Sequence, residues 1–228
     1  MIIALDGPAG SGKSTIAKRL SQRLGIKYID SGAIYRALAL FGMWQFGGNC
    51  VGHEKEIAAF FEKHPQYLKI TYENYSQRMI LKGIDVSAEI RTPEVTQQVR
   101  HIADNLECRE LANHILRSVS GEYSFVIDGR DIGTVVFPNT PFKFYLDAKP
   151  EVRAARRAKD FNLPAEGETF LALLQSIQTR DAEDMAREIG PLAIAADAIT
   201  IDTSNLDIDQ VVDTILKKMK SRTPQVSF

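Results

Sequence analysis

Apolar runs short enough to be buried strands recur at residues 2–5, 28–29, 125–127, 142–146 and 198–201, and between them apolar positions return at helical spacing. An unbroken short run buries a strand on both faces, whereas a three-to-four-residue stripe buries one side of a helix. The alternation predicts an α/β fold built on a doubly wound parallel sheet. The first helix is the clearest: Ile16, Ala17, Leu20 and Leu24 share a face, and Gly25 stands just past its end. Between residues 41 and 94 the rhythm breaks. A helix over Glu54–Lys63, with Ile57, Ala58 and Phe61 on one face, precedes two short strands at 67–73 and 78–81 joined by a polar turn containing Asn74. Trp44 and Phe46 read as packing for this segment. The expected organisation is a core of residues 1–40 and 95–220, a small inserted α+β subdomain at 41–94, and a flexible, aperiodic tail at 221–228.

Four of the strand-like runs end in an aspartate: Asp6, Asp30, Asp128 and Asp147. In open α/β sheets the ligand crevice lies beyond the carboxyl ends of the strands, so these positions border it. Directly after the first run stands Gly7-Pro8-Ala9-Gly10-Ser11-Gly12-Lys13-Ser14-Thr15, which fits G-x-x-x-x-G-K-[ST] at Gly7, Gly12, Lys13 and Ser14. Glycines let the backbone curl until successive N–H groups aim at phosphate oxygens, Lys13 adds a movable cation, and the following helix points its N-terminus at the anion. This predicts that residues 7–15 bind a nucleoside triphosphate. Ser14 and Asp128 are the expected oxygen ligands of its Mg²⁺. Turn and cap chemistry suffices for Asp147, just ahead of Pro150.

Composition narrows the partners. The 228 residues hold 28 Lys and Arg against 29 Asp and Glu, a net charge of −1, without the global basic field of a nucleic-acid binder. Cys50 and Cys108 form no C-x-x-C pair, and His53, His64, His101 and His114 lack zinc-ligand spacing. No apolar run approaches about 18 residues and no signal-peptide pattern is present. A reduced, cytoplasmic monomer with no nucleic-acid or membrane partner is expected.

More charge gathers past the other strands. Asp30-Ser31-Gly32-Ala33-Ile34-Tyr35-Arg36 follows the second run, and Asp128-Gly129-Arg130-Asp131 ends the third, setting bidentate donors beside an acceptor-only carboxylate. Arg153, Arg156 and Arg157 fall at spacings of three and four in a helix opened by Pro150. Arg180, Asp184 and Arg187 put cation, carboxylate and cation on one helical face, and residues 161–168 between the two clusters read as a closable loop. An N-K-x-D guanine-reading motif is absent, and a nucleotide switch has no need of a second anion site.

The phosphate loop, D-S-G-A-I-Y-R, G-x-D-V-S-x-E-I-R-T at residues 83–92, D-G-R-D-I-G-T-V-V-F-P and R-D-x-x-D-x-x-R at 180–187 together resemble the bacterial cytidylate kinases. The resemblance covers nearly the whole chain. It implies a nucleoside-monophosphate-kinase fold with an inserted monophosphate-binding subdomain and a short lid at about 157–175, and transfer of the ATP γ-phosphate to CMP or dCMP with Mg²⁺. It also implies roles: Ser31, Arg36 and Arg130 toward the acceptor phosphate, Asp131, Arg109 and Arg187 toward cytosine, and Arg180 and Asp184 toward the ribose. Lys13, Arg130 and the lid arginines Arg153 and Arg157 would carry the charge of the transferring group. One block departs from the pattern. An ungapped reading from Arg91 to Arg109 puts Arg100 where the family usually has a serine that helps read the cytosine amino group, and arginine cannot accept a hydrogen bond. Either Thr96 or Gln97 substitutes, or discrimination rests more heavily on Asp131.

Overall fold

The computed structural model describes residues 1–121 and 123–222. In chain order the elements are β1 (Ile2–Asp6), α1 (Lys13–Leu24), β2 (Lys27–Asp30), α2 (Ser31–Gln45), α3 (Glu54–Lys63), β3 (Leu68–Glu73), β4 (Ser76–Leu81) and β5 (Ile84–Asp85). There follow α4 (Pro93–Asp104), α5 (Leu106–Ser120), β6 (Phe125–Gly129), β7 (Phe142–Asp147), α6 (Pro150–Asp160), α7 (Gly167–Ala186), β8 (Ile199–Asp202) and α8 (Ile208–Arg222). Each strand expected from the apolar runs is present. The chain divides into two compact units, Met1–Gly25 with Val126–Phe228, and Ile26–Phe125.

In the first unit β6, β1, β7 and β8 lie side by side in that order. The β1–β7 and β7–β8 pairs are parallel, with Ile3 opposite Phe142 and Phe144 opposite Ile199. Ile3, Ala4 and Leu5 have no exposed surface, as an unbroken apolar run in a parallel sheet requires. Helix α1 packs on α8, and α6 on α7. Helix α8 runs through Ser221 and Arg222, two residues expected to begin the tail. Burial of Met219 and hydrogen bonds from Arg222 to the Pro141 and Asp197 carbonyls hold that last turn in place. Residues 223–228 lie outside the described residues.

The second unit is wider than the insertion expected at 41–94, because α2 packs against α3, α4 and α5 as one body. Phe41, Phe60 and Phe61 form its aromatic centre, with ring centroids 4.5 to 5.3 Å apart. Gly42 is needed there: a Cβ would sit 2.6 Å from both Cys50 and Ile57 side chains. Trp44 lies at the surface and not in this packing, donating its indole N–H to Glu89 at 3.2 Å. The β3–β4 turn uses Asn74 and Tyr75 at φ 46° and 67°, the left-handed pair that a two-residue hairpin demands. Lys82 and Gly83, at φ 50° and 86°, repeat the device and create β5, which two residues are too few to announce. Among the described residues no helix is long and apolar enough to cross a membrane.

Candidate functional site

The phosphate loop turns as its glycines anticipate. Gly7 adopts φ 147° with its missing Cβ 2.1 Å from the Leu146 carbonyl oxygen, while Gly10 and Gly12 take φ 76° and 90°. Any side chain at Gly7 would displace β7. Pro8, Ala9, Ser11 and Lys13 are buried, and Ser14 and Thr15 stand exposed at the start of α1. Gly12 caps α1 without a side chain, so the helix presents its backbone N–H groups, which have no intrahelical acceptor, to whatever occupies the loop.

Lys13 donates to the Pro8 carbonyl at 2.7 Å. Burial pushes its ammonium well below the usual lysine range, Arg130 and Arg180 add to that shift, and Asp128 and Asp6 oppose it. The expected donors and carboxylates therefore share one electrostatic neighbourhood. Asp128 and Asp131 are both buried at the end of β6. Arg130 Nε donates to Asp184 at 2.8 Å and Arg187 reaches the other carboxylate oxygen at 2.9 Å. Burial alone would raise the Asp184 pKa, but Arg130, Arg187 and Arg180 outweigh it and hold the carboxyl below its ordinary value.

Just after Arg130-Asp131 the chain makes a single wide turn over Ile132–Val136, closed by five-residue hydrogen bonds from Val136 to Asp131 and from Phe137 to Ile132. Asp6 fixes this turn, accepting N–H bonds from Ile132 at 2.8 Å and Gly133 at 2.7 Å. Its burial lifts the carboxyl to about 6, with those two bonds pulling the other way. The strand-end aspartate was visible in the sequence; its partners were not.

The two lid arginines part company. Arg157, in the last turn of α6, lays its guanidinium 4.9 Å from the Phe161 ring at the edge of the 161–166 connection. Arg153 is buried against the phosphate loop, its guanidinium engaged by Asp181 at 2.5 Å, the Ala9 carbonyl and the Ala148 carbonyl. Arg156, passed over as a site residue, binds Thr203 and reaches the Ser11 carbonyl.

In the second unit Ser31 is buried at the first position of α2. Arg36 donates to Thr96 Oγ1 at 2.7 Å, and that hydroxyl in turn donates to the Thr92 carbonyl. Arg109 is buried, donating to the Ala103 carbonyl at 3.0 Å with its guanidinium 5.6 Å from the Tyr35 ring. Arg91 pairs with Asp30 at 2.7 Å. Arg100 and Gln97 are exposed on α4.

Comparison with known proteins matches the chain to one family. The family model for cytidylate kinase covers residues 3–221. A cytidylate kinase of Thermosipho melanesiensis is 42% identical over 220 residues, spanning 96% of this chain and 97% of its own. Another, of Clostridium acetobutylicum, is 42% identical over 221 residues and spans 96% and 98%. Among solved structures, an uncharacterized protein from Eubacterium ventriosum superposes with a TM-score of 0.54 at 15% identity, covering 97% of this chain and 99% of that one, a likeness of fold alone.

Proposed function

The chain belongs to the cytidylate kinase family, and on that premise we propose that it transfers the γ-phosphate of ATP to CMP or dCMP, giving CDP or dCDP for pyrimidine nucleotide metabolism. It is a nucleotide-dependent phosphotransferase with an α/β nucleoside-monophosphate-kinase fold. The observation that carries the reading is Lys13 of the phosphate loop lying within electrostatic reach of Arg130 and Arg180, which also act on Asp184. A cluster of cations that repel one another is tolerable when phosphate oxygens neutralise it.

The chemistry asks for little else. An acceptor phosphate is already ionised at neutral pH, so no general base is required, and an in-line transfer is accelerated by positioning and charge neutralisation. In this reading residues 7–15 hold ATP, with Lys13 on its β and γ phosphates. Arg130, Ser31 and Arg36 bind the acceptor phosphate; Arg180 and Asp184 bind the ribose; Asp131, Arg109 and Arg187 bind cytosine. Asp131 accepts from the N4 amino group and repels the uracil carbonyl. Arg157 spreads charge from the transferring group. The hydroxyl of Ser14 and the carboxylate of Asp128 are hard oxygen donors of the kind Mg²⁺ takes alongside water and phosphate oxygens, and Mg²⁺ bound there would draw charge from the phosphates. Residues 41–94 serve as the monophosphate-binding insertion, and the enzyme works as a cytoplasmic monomer. A coupled assay with ATP, Mg²⁺ and a panel of nucleoside monophosphates tests the reading: CDP is the expected product, and ATP hydrolysis without CDP overturns it.

A further inference from the structure

Both backbone groups of Ala9, at the crest of the phosphate loop, are held by one buried ion pair. The Ala9 N–H donates to Asp181 Oδ1 at 3.3 Å, and its carbonyl accepts from Arg153 Nη1 at 2.9 Å. The same Arg153 nitrogen lies 2.5 Å from Asp181 Oδ2, and Arg153 Nε is fixed by the Ala148 carbonyl at 2.9 Å. Side-chain exposures of 5% and 10% put this pair, with Arg187–Asp184 at 12% and 8%, apart from the solvated ion pairs of the β3–β4–β5 hairpin. Gly10 permits the approach, since a Cβ there would stand 3.2 Å from the Arg153 Cβ. Phosphate-loop lysines and glycines make the anion site; nothing in that recipe requires this clamp.

Its placement on α7 matters. Asp181 lies one turn before Asp184, the carboxylate that gathers Arg130 at 2.8 Å and Arg187 at 2.9 Å. Three residues of a helix are about 4.5 Å of rise and form a rigid step. The contacts of Ala9 with Asp181 and of Asp184 with its arginines are thus one helical turn apart on the same element. We propose that Asp181 and Arg153 are a positioning pair that couples the triphosphate site to the acceptor-binding arginines through this single turn of α7. The proposal rests on the kinase reading above and adds to it a named route of communication. By linkage the route is reciprocal: ATP tightens CMP by the same factor by which CMP tightens ATP.

The test measures CMP affinity with and without a β,γ-imido analogue of ATP and Mg²⁺, in the wild-type protein and in Asp181→Asn. In the wild type the analogue should tighten CMP by at least about fivefold. Asp181→Asn keeps an oxygen for the Ala9 N–H but loses the charge that holds Arg153, so the ratio should fall to within about twofold of one while CMP affinity without nucleotide stays nearly unchanged, and kcat should fall by about 10- to 100-fold. A purely structural role would lower the active fraction and leave the ratio alone. If Asp181→Asn fails to fold, Arg153→Lys serves instead: it retains the charge, but a lysine ammonium cannot reproduce the planar fork that joins Asp181, Ala9 and Ala148. An unchanged ratio in the folded variant, or no coupling in the wild type, overturns the proposal. Absence of CDP from the wild-type enzyme would instead overturn the kinase reading, so the two failures are told apart.

Discussion

The surroundings of the phosphate loop and the β3–β4–β5 hairpin both set arginines against carboxylates, yet they are built on opposite principles. Around the loop the ties are long-range and buried. Asp6 binds residues 126 and 127 positions away, Arg153 binds Ala9 across 144, and Asp181 binds Ala9 across 172. In the hairpin the charged ties are local and wet: Arg78 pairs with Glu73 and Asp85, and Asp85 accepts from the Ser87 N–H. A buried charge left without its partner is costly, whereas an exposed one is simply rehydrated. The same pair of residue types therefore predicts rigidity and function in one region and little in the other.

The largest effect should come from the buried side. Lys13→Ala removes the cation proposed to meet the transferring phosphate while α1 keeps its apolar face, so turnover should drop by about 10³-fold with the fold intact by circular dichroism. A folded variant with near-normal turnover would erase the distinction drawn between the regions.

Asp6 sharpens it through pH. Its carboxyl titrates near 6 in the fold against an ordinary 3.8, so the folded state binds more protons between those values. Stability contributed by Asp6 is then fully present below about pH 4 and is lost as pH rises through 6, by on the order of 3 kcal/mol. The difference in unfolding free energy between wild type and Asp6→Asn isolates this group. It should shrink as pH rises from 4 to 6 and flatten above, and a flat difference across that window refutes the assignment. At any pH Asn offers one acceptor for the two N–H groups of Ile132 and Gly133, which should cost about 1–3 kcal/mol.

What could be read from the sequence divides along the same line. The strand, loop and helix from Ile2 to Leu24, the α3 stripe and the hairpin turn at Asn74 are local patterns, and period and turn chemistry suffice to find them. The block R-D-x-x-D-x-x-R announced Arg180, Asp184 and Arg187, and the structure gathers Arg130 with them. Helical spacing also put Arg153 and Arg157 on one side, but it could not tell that four residues of travel along α6 carry one guanidinium into the core and leave the other beside Phe161. Asp181 stood inside a motif and still went unassigned, because its partner Ala9 is supplied by the tertiary fold alone. β5 and the wide turn at 132–136 have no periodic signal at all.

Base choice tests the buried region more gently. With Asp131 proposed as the acceptor for the cytosine amino group, Asp131→Asn could rotate its amide to donate to uracil O4, and each unpaired polar group costs about 1–3 kcal/mol. The ratio of kcat/KM for CMP over UMP should fall by at least about tenfold. Arg100→Ser, at an exposed position on α4, should raise that ratio if the ungapped correspondence holds. An unchanged ratio removes the substituted residue from base recognition.

The smallest effect belongs to the hairpin. Arg78 is 47% exposed and bridges Glu73 and Asp85, which are 57% and 37% exposed. Asp85 is held down at about 2 by Ser87 first and by Arg78 after it, so losing the arginine leaves the main support in place. Arg78→Met keeps the stem that covers the hairpin face and discards only the charge. Its Tm should move by less than about 2 °C, and the residual difference should fade between 0.05 and about 1 M salt as screening replaces the pair. Turnover with CMP should stay at the wild-type level. A shift of several degrees that survives high salt would mean that exposure does not set the worth of an ion pair in this protein, and the contrast between the two regions would have to be explained by something other than burial.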